Sequence, residues 1–256
     1  MSDLYLRPHA KVNLGLLIKG KRSDGYHLLE TLFYPVYDLQ DELWLRPSSQ
    51  AECTLELDGN PLDGDVSDNL CVKAWRALRA RVPDLPGVHL RLTKHIPAGA
   101  GLGGGSSDAA FTLRGLNTLF DLGLDTATLA EIGARLGADV PFFLHDRPLI
   151  ARGIGTEFEA IDFTLPGELR VFPQDLHSST IAAYKALDYR RYDPARELKS
   201  LLAQPLEAWR HHLPNDLEDP VFELYPQLQG VKEQLYAQGA KYAAMSGSGS
   251  AFFGIF

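Results

Sequence analysis

Between residues 97 and 110 the chain reads PAGAGLGGGSSDAA, and no other stretch restricts the possible folds so strongly. Five of the seven residues from 99 to 105 are glycine. Glycine accepts positive φ and carries no Cβ to hold a ligand off the backbone. Ala109, Leu113, Leu116 and Phe120 follow at helical spacing, so the run is expected to end at a helix N-terminus. There the unpaired N–H groups and the positive end of the helix dipole face whatever the loop encloses. That combination is a phosphate cradle made of backbone. The Lys-Ser/Thr pair that closes a P-loop is absent. A flexible turn before a buried helix is the plainer alternative, but ordinary connections need fewer glycines.

Charge decides how such an anion is held. The chain's 256 residues carry 33 Asp and Glu against 25 Lys and Arg, a net charge of −8. Bulk attraction to nucleic acid or to an anionic membrane is therefore not expected, and a bound phosphate needs a local site. A hydrophobic content of 45% suits one large or two modest domains with real cores. Cys53 and Cys71 lie far apart without a CxxC pattern, which argues against a zinc site and against a disulfide framework. The first residues show no apolar core of signal-peptide length, and no run approaches a membrane span. The expectation is a soluble, cytoplasmic, metal-poor protein.

The remaining pattern supplies the loop's surroundings. Val12, Leu14, Leu16 and Ile18 alternate, predicting a half-buried strand. Lys11, Asn13 and Gly15 share its other face, which reads either as the wall of a site or as an ordinary solvent face. A turn-rich GKRSDGYH leads to a returning strand over 28–34. Further strands are expected over 42–46, 53–58 and 88–93, the last feeding the glycine run. Asp68 or Asn69 can cap a helix through Leu70, Ala74, Trp75 and Leu78, ended by Pro83 and Pro86. Thr128 with Glu131 gives a capping-box pattern for a helix ending near Gly137. The pattern loosens around 153–166, where a domain change is placed. Beyond it the spacing predicts a strand over 168–172, a helix over 178–187 and polar helices through Leu201 and Trp209. A helix over 226–238 follows, then strands over 241–245 and 251–256 flanking SGSGS.

A few side chains give a bound phosphate something to react with. Asp139 follows a helix end, where the dipole's negative pole disfavours a carboxylate's charge. That suits a general base, although an Asp in a turn is the commoner reading. Lys11 can hold the base ionised, orient an acceptor hydroxyl and stabilise a phosphoryl group in flight. Asp108, in the helix's first turn, reads as complementing the dipole rather than holding a metal ion. Ser106 and Ser107 exceed what one cap needs and read as phosphate or metal contacts. Tyr26 and His27 sit just past a turn. Either a base stacks on the phenol ring while His27 reads its edge, or the aromatic packs at a hairpin end.

Taken together, these segments resemble a known family. AKVNLGLLIKGKRSDGYHLLETLF, PAGAGLGGGSSDAA and MSGSGSAFFGIF are similar, in order, to the three motifs of the GHMP small-molecule kinases, and LGADVPFF and SDNLCVKAW fit as well. The match runs nearly end to end. GLGGGSS and RSDGYH resemble the branch whose acceptor is a cytidylyl-linked methylerythritol. The resemblance implies an α/β fold of the α+β two-layer type, with an ATP-binding domain over 1–155, a second domain over 156–256 and the active site in the cleft between them. It implies transfer of the γ-phosphoryl group of ATP, with Mg²⁺, to a hydroxyl of that acceptor. The product is the 2-phosphate, a step of the non-mevalonate route to isoprenoid precursors. A monomer or homodimer working without nucleic acid or membrane is implied too.

By the same resemblance, Asp139 and Lys11 correspond to the family's catalytic aspartate and lysine. Asn13, Tyr26 and His27, with Asp139, correspond to the contacts of the acceptor. Thr180 and Tyr184, four apart on a predicted helix, correspond to the wall across the cytosine from Tyr26. Pro97, Ala98, Gly99, Ala100, Gly101, Leu102, Gly103, Gly104, Gly105, Ser106 and Ser107 correspond to the triphosphate loop. Asn69, Leu70 and Lys94 correspond to the adenine side. The chain stops on a strand straight after the third motif, where family members usually continue with a final helix and strand.

Other classes compete. Gly99, Gly101 and Gly104 satisfy the G-x-G-x-x-G fingerprint of dinucleotide-binding oxidoreductases. That fingerprint needs a buried parallel strand ahead of it, whereas 88–93 alternates as a half-exposed strand does. A non-catalytic nucleotide sensor is disfavoured by the presence of both Lys11 and Asp139. A kinase of the same superfamily with another acceptor is disfavoured by RSDGYH.

Overall fold

The computed structural model describes residues 3–61 and 64–256. The chain runs β1 (Leu4–Leu6), β2 (His9–Lys21), β3 (His27–Gln40), β4 (Glu42–Ser48), β5 (Cys53–Gly59), α1 (Leu70–Arg81), β6 (Gly87–Lys94) and α2 (Gly104–Leu119). It continues through α3 (Thr126–Ala134), α4 (Val140–His145), β7 (Leu149–Arg152), β8 (Glu157–Ala160), β9 (Leu169–Phe172) and α5 (Thr180–Lys185). The last part holds α6 (Leu198–Leu202), α7 (Leu206–His212), α8 (Glu218–Leu224), α9 (Gln229–Ala237), β10 (Tyr242–Met245) and β11 (Phe252–Ile255). Backbone contacts divide the chain into two units. One comprises Met1–Ala10, Pro35–Ala98 and Gly103–Arg147, the other Lys11–Tyr34, Gly99–Leu102 and Pro148–Phe256. Among the described residues no helix is long and apolar enough to cross a membrane.

In the first unit, period-two segments make a four-stranded sheet in the order β1-β4-β6-β5, with β5 parallel to β6 and the other pairs antiparallel. Val88, Leu90 and Leu92 of β6 are buried, whereas the outward Arg91 pairs with Asp58, as the alternation predicts. The apolar sheet face is covered by α1 and α2, whose buried residues include Val72, Ala74, Leu78, Ala109, Leu113 and Leu116. A Cβ on Gly115 would stand 2.8 Å from the side chains of both Leu6 and Leu45, so glycine sets how closely α2 lies on the sheet. The start of α3 differs from the expected capping box at Thr128 and Glu131. Asp125 is the cap, its carboxylate accepting the Thr128 amide at 2.8 Å, because it stands three residues ahead of that unpaired donor. The six-residue α4, with a proline in its first turn, has too little periodicity to be read from sequence.

The second unit holds a sheet in the order β2-β3-β7-β8 and a three-stranded antiparallel sheet in the order β10-β11-β9. Here β2 departs from expectation. It is buried on both faces from His9 to Ile18 rather than on one. Side chains of Leu198 and Leu213 close over its polar face, 2.7 and 2.6 Å from where a Cβ on Gly15 would be. Residues 214–216 run alongside, the Leu16 amide donating to Pro214 O and the Asp216 amide to Leu16 O, both at 2.9 Å. Leu16, Ile18, Leu217, Val221, Leu235, Met245 and Phe252 form the core. The helix expected over 226–238 is a 3₁₀ turn, Pro226–Leu228, leading into α9. Gly239, at φ +97°, ends it. Short β7 and β8 border and occupy the stretch whose pattern loosened, and α8 was likewise not expected.

Candidate active site

The first unit carries the helix that leaves the glycine run. The N-cap of α2 is Gly103, at φ +72°, and no side chain bonds there. Its first amides are thus left to solvent or ligand. Gly104 lies against the run's approach, a Cβ there standing 2.9 Å from Ile96 Cγ2 and 3.2 Å from Lys94 Nζ. The Ser107 hydroxyl is buried with no hydrogen-bond partner among the described residues. Asn69 caps α1, its Oδ1 accepting the Cys71 amide at 2.9 Å. Leu70 Cδ1 stands 3.5 Å from where Gly105 would carry a Cβ, and Ser106 Oγ 3.6 Å from the same position on Gly137. Asn69, Leu70, the start of α2 and the turn leading to Asp139 therefore come together within one unit.

Two expectations in this unit are corrected. Asp139 is the N-cap residue of α4, so it opens a helix, and the argument from a helix's negative pole does not apply to it. Asp108 is the fifth residue of α2, past the first turn, and it does not complement the dipole at the surface. It is buried in an ion triad, where Lys94 Nζ donates to Asp108 Oδ2 at 2.6 Å and also to Asp41 Oδ2. Burial, partly opposed by the Lys94 charge, pushes the Asp108 carboxyl up to about 8. Against its own burial, Lys94 is held above the usual lysine range by the carboxylates of Asp108 and Asp41. Asp41 also accepts the amides of His95 and Ile96 at 2.6 and 2.8 Å, at the entry to the glycine run.

Residues 99–102 of the run belong to the second unit, where they meet β2 and the loop between β10 and β11. The Lys11 amide donates to Leu102 O at 2.9 Å and the Ala251 amide to Ala100 O at 3.1 Å. Ser246 Oγ donates to Gly101 O at 2.8 Å. Gly101 has φ +78°, and a Cβ on it would stand 2.0 Å from Ser246 O, so only glycine permits this approach. Lys11 Nζ donates to Asn13 Oδ1 at 2.6 Å and lies 4.9 Å from the Phe33 ring centroid. Asn13 Nδ2 donates to Thr31 Oγ1 at 3.1 Å, and Thr31 donates to Gly15 O at 2.6 Å. This chain of donors turns the amide oxygen of Asn13 toward the ammonium. A Cβ on Gly247 would stand 3.8 Å from Lys11 Nζ. Gly99 packs on the His177 ring.

Several groups in this arrangement escaped the sequence reading of the site. Asn215 Nδ2 donates to Met245 O and Gly247 O, both at 2.8 Å, and so holds the SGSGS loop. Thr31 and Ser246 act as described above. An asparagine after Pro214 was the one local signal, and it reads equally well as a helix cap.

Of the residues expected to contact the acceptor, His27, Thr180 and Tyr184 line a cavity of about 460 Å³ together with Lys21 and Tyr189, whereas Asn13 and Asp139 are not among its walls. Thr180 and Tyr184 lie on α5, one turn apart as predicted. The Tyr184 and His27 rings have centroids 4.6 Å apart and a 35° tilt. Thr180 Oγ1 and Ser248 Oγ are hydrogen-bonded at 2.7 Å, which joins the cavity to the SGSGS loop. Burial, then the Lys21 charge, holds His27 below the ordinary imidazole value. Tyr26 is not part of the cavity wall. It is 59% exposed, and its carbonyl accepts the Arg22 amide at 2.7 Å to close the turn. Among the described residues no group of three or more His, Cys, Asp or Glu is placed to hold a metal ion.

Comparison with known proteins adds to this geometry. Residues 69–147 match the model of the GHMP kinases N terminal domain, and residues 196–256 that of the GHMP kinases C terminal. Over 252 residues the chain is 44% identical to the 4-diphosphocytidyl-2-C-methyl-D-erythritol kinase of Bacteroides fragilis, covering 97% of this chain and 90% of that one. The enzyme of the same name from Chlorobium phaeobacteroides is 45% identical over 264 residues, covering 100% and 87%. Among solved structures, a crystal structure of 4-(cytidine 5'-diphospho)-2C-methyl-D-erythritol kinase superposes with a TM-score of 0.84 at 37% identity, covering 98% of this chain and 90% of that one. A homoserine kinase from Cytophaga hutchinsonii, at 15% identity and a TM-score of 0.67, shares the fold.

Proposed function

The chain belongs to the GHMP kinases, and from that premise we propose that it phosphorylates the 2-hydroxyl of 4-diphosphocytidyl-2-C-methyl-D-erythritol with ATP. The observation that carries this reading is the 44% identity, over 97% of the chain, to an enzyme of that name. The cavity on His27, Thr180 and Tyr184 supports it, being apolar on a ring face and polar at an edge, as a pyrimidine requires. The product, the 2-phosphate, belongs to the non-mevalonate route to isoprenoid precursors.

Phosphoryl transfer asks a protein for positioning and charge stabilisation more than for covalent chemistry. We assign the triphosphate to the backbone of Pro97, Ala98, the glycines and Ser106, with the uncapped start of α2 facing it. Asn69 and Leu70, beside that start, take the adenine side. Lys11, held by Asn13, offsets charge on the transferring group. Asp139 accepts the proton of the acceptor hydroxyl. Tyr184 covers one face of the cytosine and His27 meets its edge. Mg²⁺ brought by the nucleotide would supply charge neutralisation at the phosphates, and the Ser107 hydroxyl, which has no partner among the described residues, would be the group to offer it an oxygen. Dependence on ATP supports a cytoplasmic activity, and a monomer or homodimer is the assembly the family resemblance implies.

A coupled ADP-release assay over alcohol acceptors tests the reading. Turnover is expected with the cytidylyl-linked methylerythritol and not with methylerythritol 4-phosphate, homoserine or mevalonate. Equal turnover of the acceptor lacking the cytidylyl group would refute the substrate assignment while leaving the kinase intact.

A further inference from the structure

One asparagine ties β2, the strand that follows from Lys11, to the loop between β10 and β11. Asn215 is 3% exposed and forms a parallel bridge with Leu16 of β2. Its neighbours hold the same residue, Pro214 O accepting the Leu16 amide and the Asp216 amide donating to Leu16 O. Asp216 Oδ2 accepts the Ile18 amide at 2.8 Å. The Asn215 backbone is therefore fixed to the strand that bears Lys11 and Asn13. Its side chain faces the loop, with Oδ1 accepting the Leu217 amide at 3.0 Å and Nδ2 donating to Met245 O and Gly247 O at 2.8 Å. Three successive loop residues then meet three parts of the site. Ser246 Oγ bonds Gly101 O of the glycine run, and Ser248 Oγ bonds Thr180 Oγ1 of α5. Between them a Cβ on Gly247 would stand 3.1 Å from Asn13 Oδ1 and 3.8 Å from Lys11 Nζ. The serines anchor themselves through their hydroxyls, whereas Gly247 has no side chain and is held through its carbonyl by Asn215.

We propose that Asn215 is a positioning residue for phosphoryl transfer, holding the Gly247 backbone against Asn13 and Lys11 and so fixing where the ammonium stands. The inference rests on the reading that Lys11 offsets charge on the transferring group. Lys11 Nζ donates to Asn13 Oδ1 at 2.6 Å, and Gly247 packs on that same oxygen. With its carbonyl released, the loop can advance on Asn13 Oδ1 or withdraw from it, and the ammonium bonded there follows. A displacement of about 1 Å among reacting groups can lower a rate on the order of 10²-fold. The chemistry of the clamp asks for an amide. It offers one acceptor to the Leu217 amide and two donors to the loop carbonyls at once, which neither a hydroxyl nor a carboxylate does.

The test is Asn215→Ser, which keeps an oxygen for the Leu217 turn, adds no charge and removes both amide donors. Assayed below the variant's unfolding transition, N215S should lower kcat roughly 10- to 100-fold, with the KM for ATP and for the acceptor each within about twofold of wild type. A merely structural role would not move the second readout. In protein carrying ¹³Cε-labelled lysine, the Lys11 signal, assigned by its loss in Lys11→Met, should shift between wild type and folded N215S, and that of exposed Lys241 should not. Wild-type kcat in N215S, or an unmoved Lys11 signal, overturns the inference. If N215S does not fold, the wild type decides. With ADP and acceptor bound, the Asn215 Nδ2 protons should exchange with solvent far more slowly than those of exposed Gln50, and equal rates would overturn the clamp. A wild-type enzyme that does not turn over the cytidylyl acceptor would instead refute the substrate reading, and the Lys11 signal would still decide the positioning.

Discussion

Two neighbouring helices of the first unit, α1 and α2, begin in opposite ways. The start of α1 is closed by its own sequence, Asn69 Oδ1 taking the Cys71 amide. The start of α2 has a left-handed glycine and no side-chain bond. An N-cap side chain normally stabilises a helix by about 1 kcal/mol. A helix that omits it after a run of glycines keeps its amides and dipole for something else, and an anion is what they suit. Further along, α2 is held by its buried apolar face and by the Lys94 triad, which bonds its fifth residue to the segment entering the loop. An open end thus needs an anchor deeper in the helix.

The largest effect is expected beside the open end, where the Gly137 turn carries Asp139. Asp139→Asn should lower kcat by roughly 10²–10⁴ with folding intact; wild-type turnover would remove the residue from the chemistry. Next comes the anchor. Lys94→Met leaves the Asp41 carboxylate and the Asp108 carboxyl buried without their cation and should cost about 3–5 kcal/mol in denaturant unfolding, and an unchanged midpoint would show that α2 needs no such tie.

The same triad carries a pH signature. The folded Asp108 carboxyl, pushed up to about 8, keeps a proton that the unfolded chain releases near 3.8. Its contribution to stability is complete below about pH 4 and is lost as the pH rises toward 8. Asp108→Asn should remove that falling slope; identical pH profiles for variant and wild type would contradict it.

A smaller effect is expected from closing the open end. Gly103→Asp places a carboxylate where phosphates are proposed to bind and should raise the KM for ATP about tenfold or more, sparing the acceptor KM. An unaltered ATP KM would mean that these amides do not face the nucleotide. Smallest is Asn69→Ala, which opens the closed end. About 1 kcal/mol of stability should go, with little change in kcat. A large rise in ATP KM there would make Asn69 a nucleotide contact first and a cap second.

Much of the local structure was legible. β6 alternates with a wet face because both its neighbours leave one side to solvent, and α1 starts at Asn69 as its capping chemistry requires. The glycine run ends at a helix, as read. The reading of β2 as half-buried went astray because Leu198 and Leu213, far along the chain, cover its polar face. That same burial favours the site-wall reading of Lys11 and Asn13 over a solvent face. Asp139 reads as following a helix because α4 is too short to show a period, and Thr128 with Glu131 fits a capping box as readily as Asp125 fits a cap. Tyr189 left no mark at all, since nothing in YKALDYRRYD announces a partner for His27.

What the sequence determined by itself lies within a few residues of each position: the uncapped glycine-to-helix junction, the Asn69 cap, the alternation of β6. Those depend on dihedral preferences and on hydrogen bonds spanning four residues or fewer, which composition and spacing control directly. Only the tertiary structure decided which polar groups are buried and what they touch. Asn13 meets Ser246 across 233 positions and His27 meets Tyr189 across 162, and a bond at that separation exists only once the rest of the fold has met the entropic cost of bringing the two groups together.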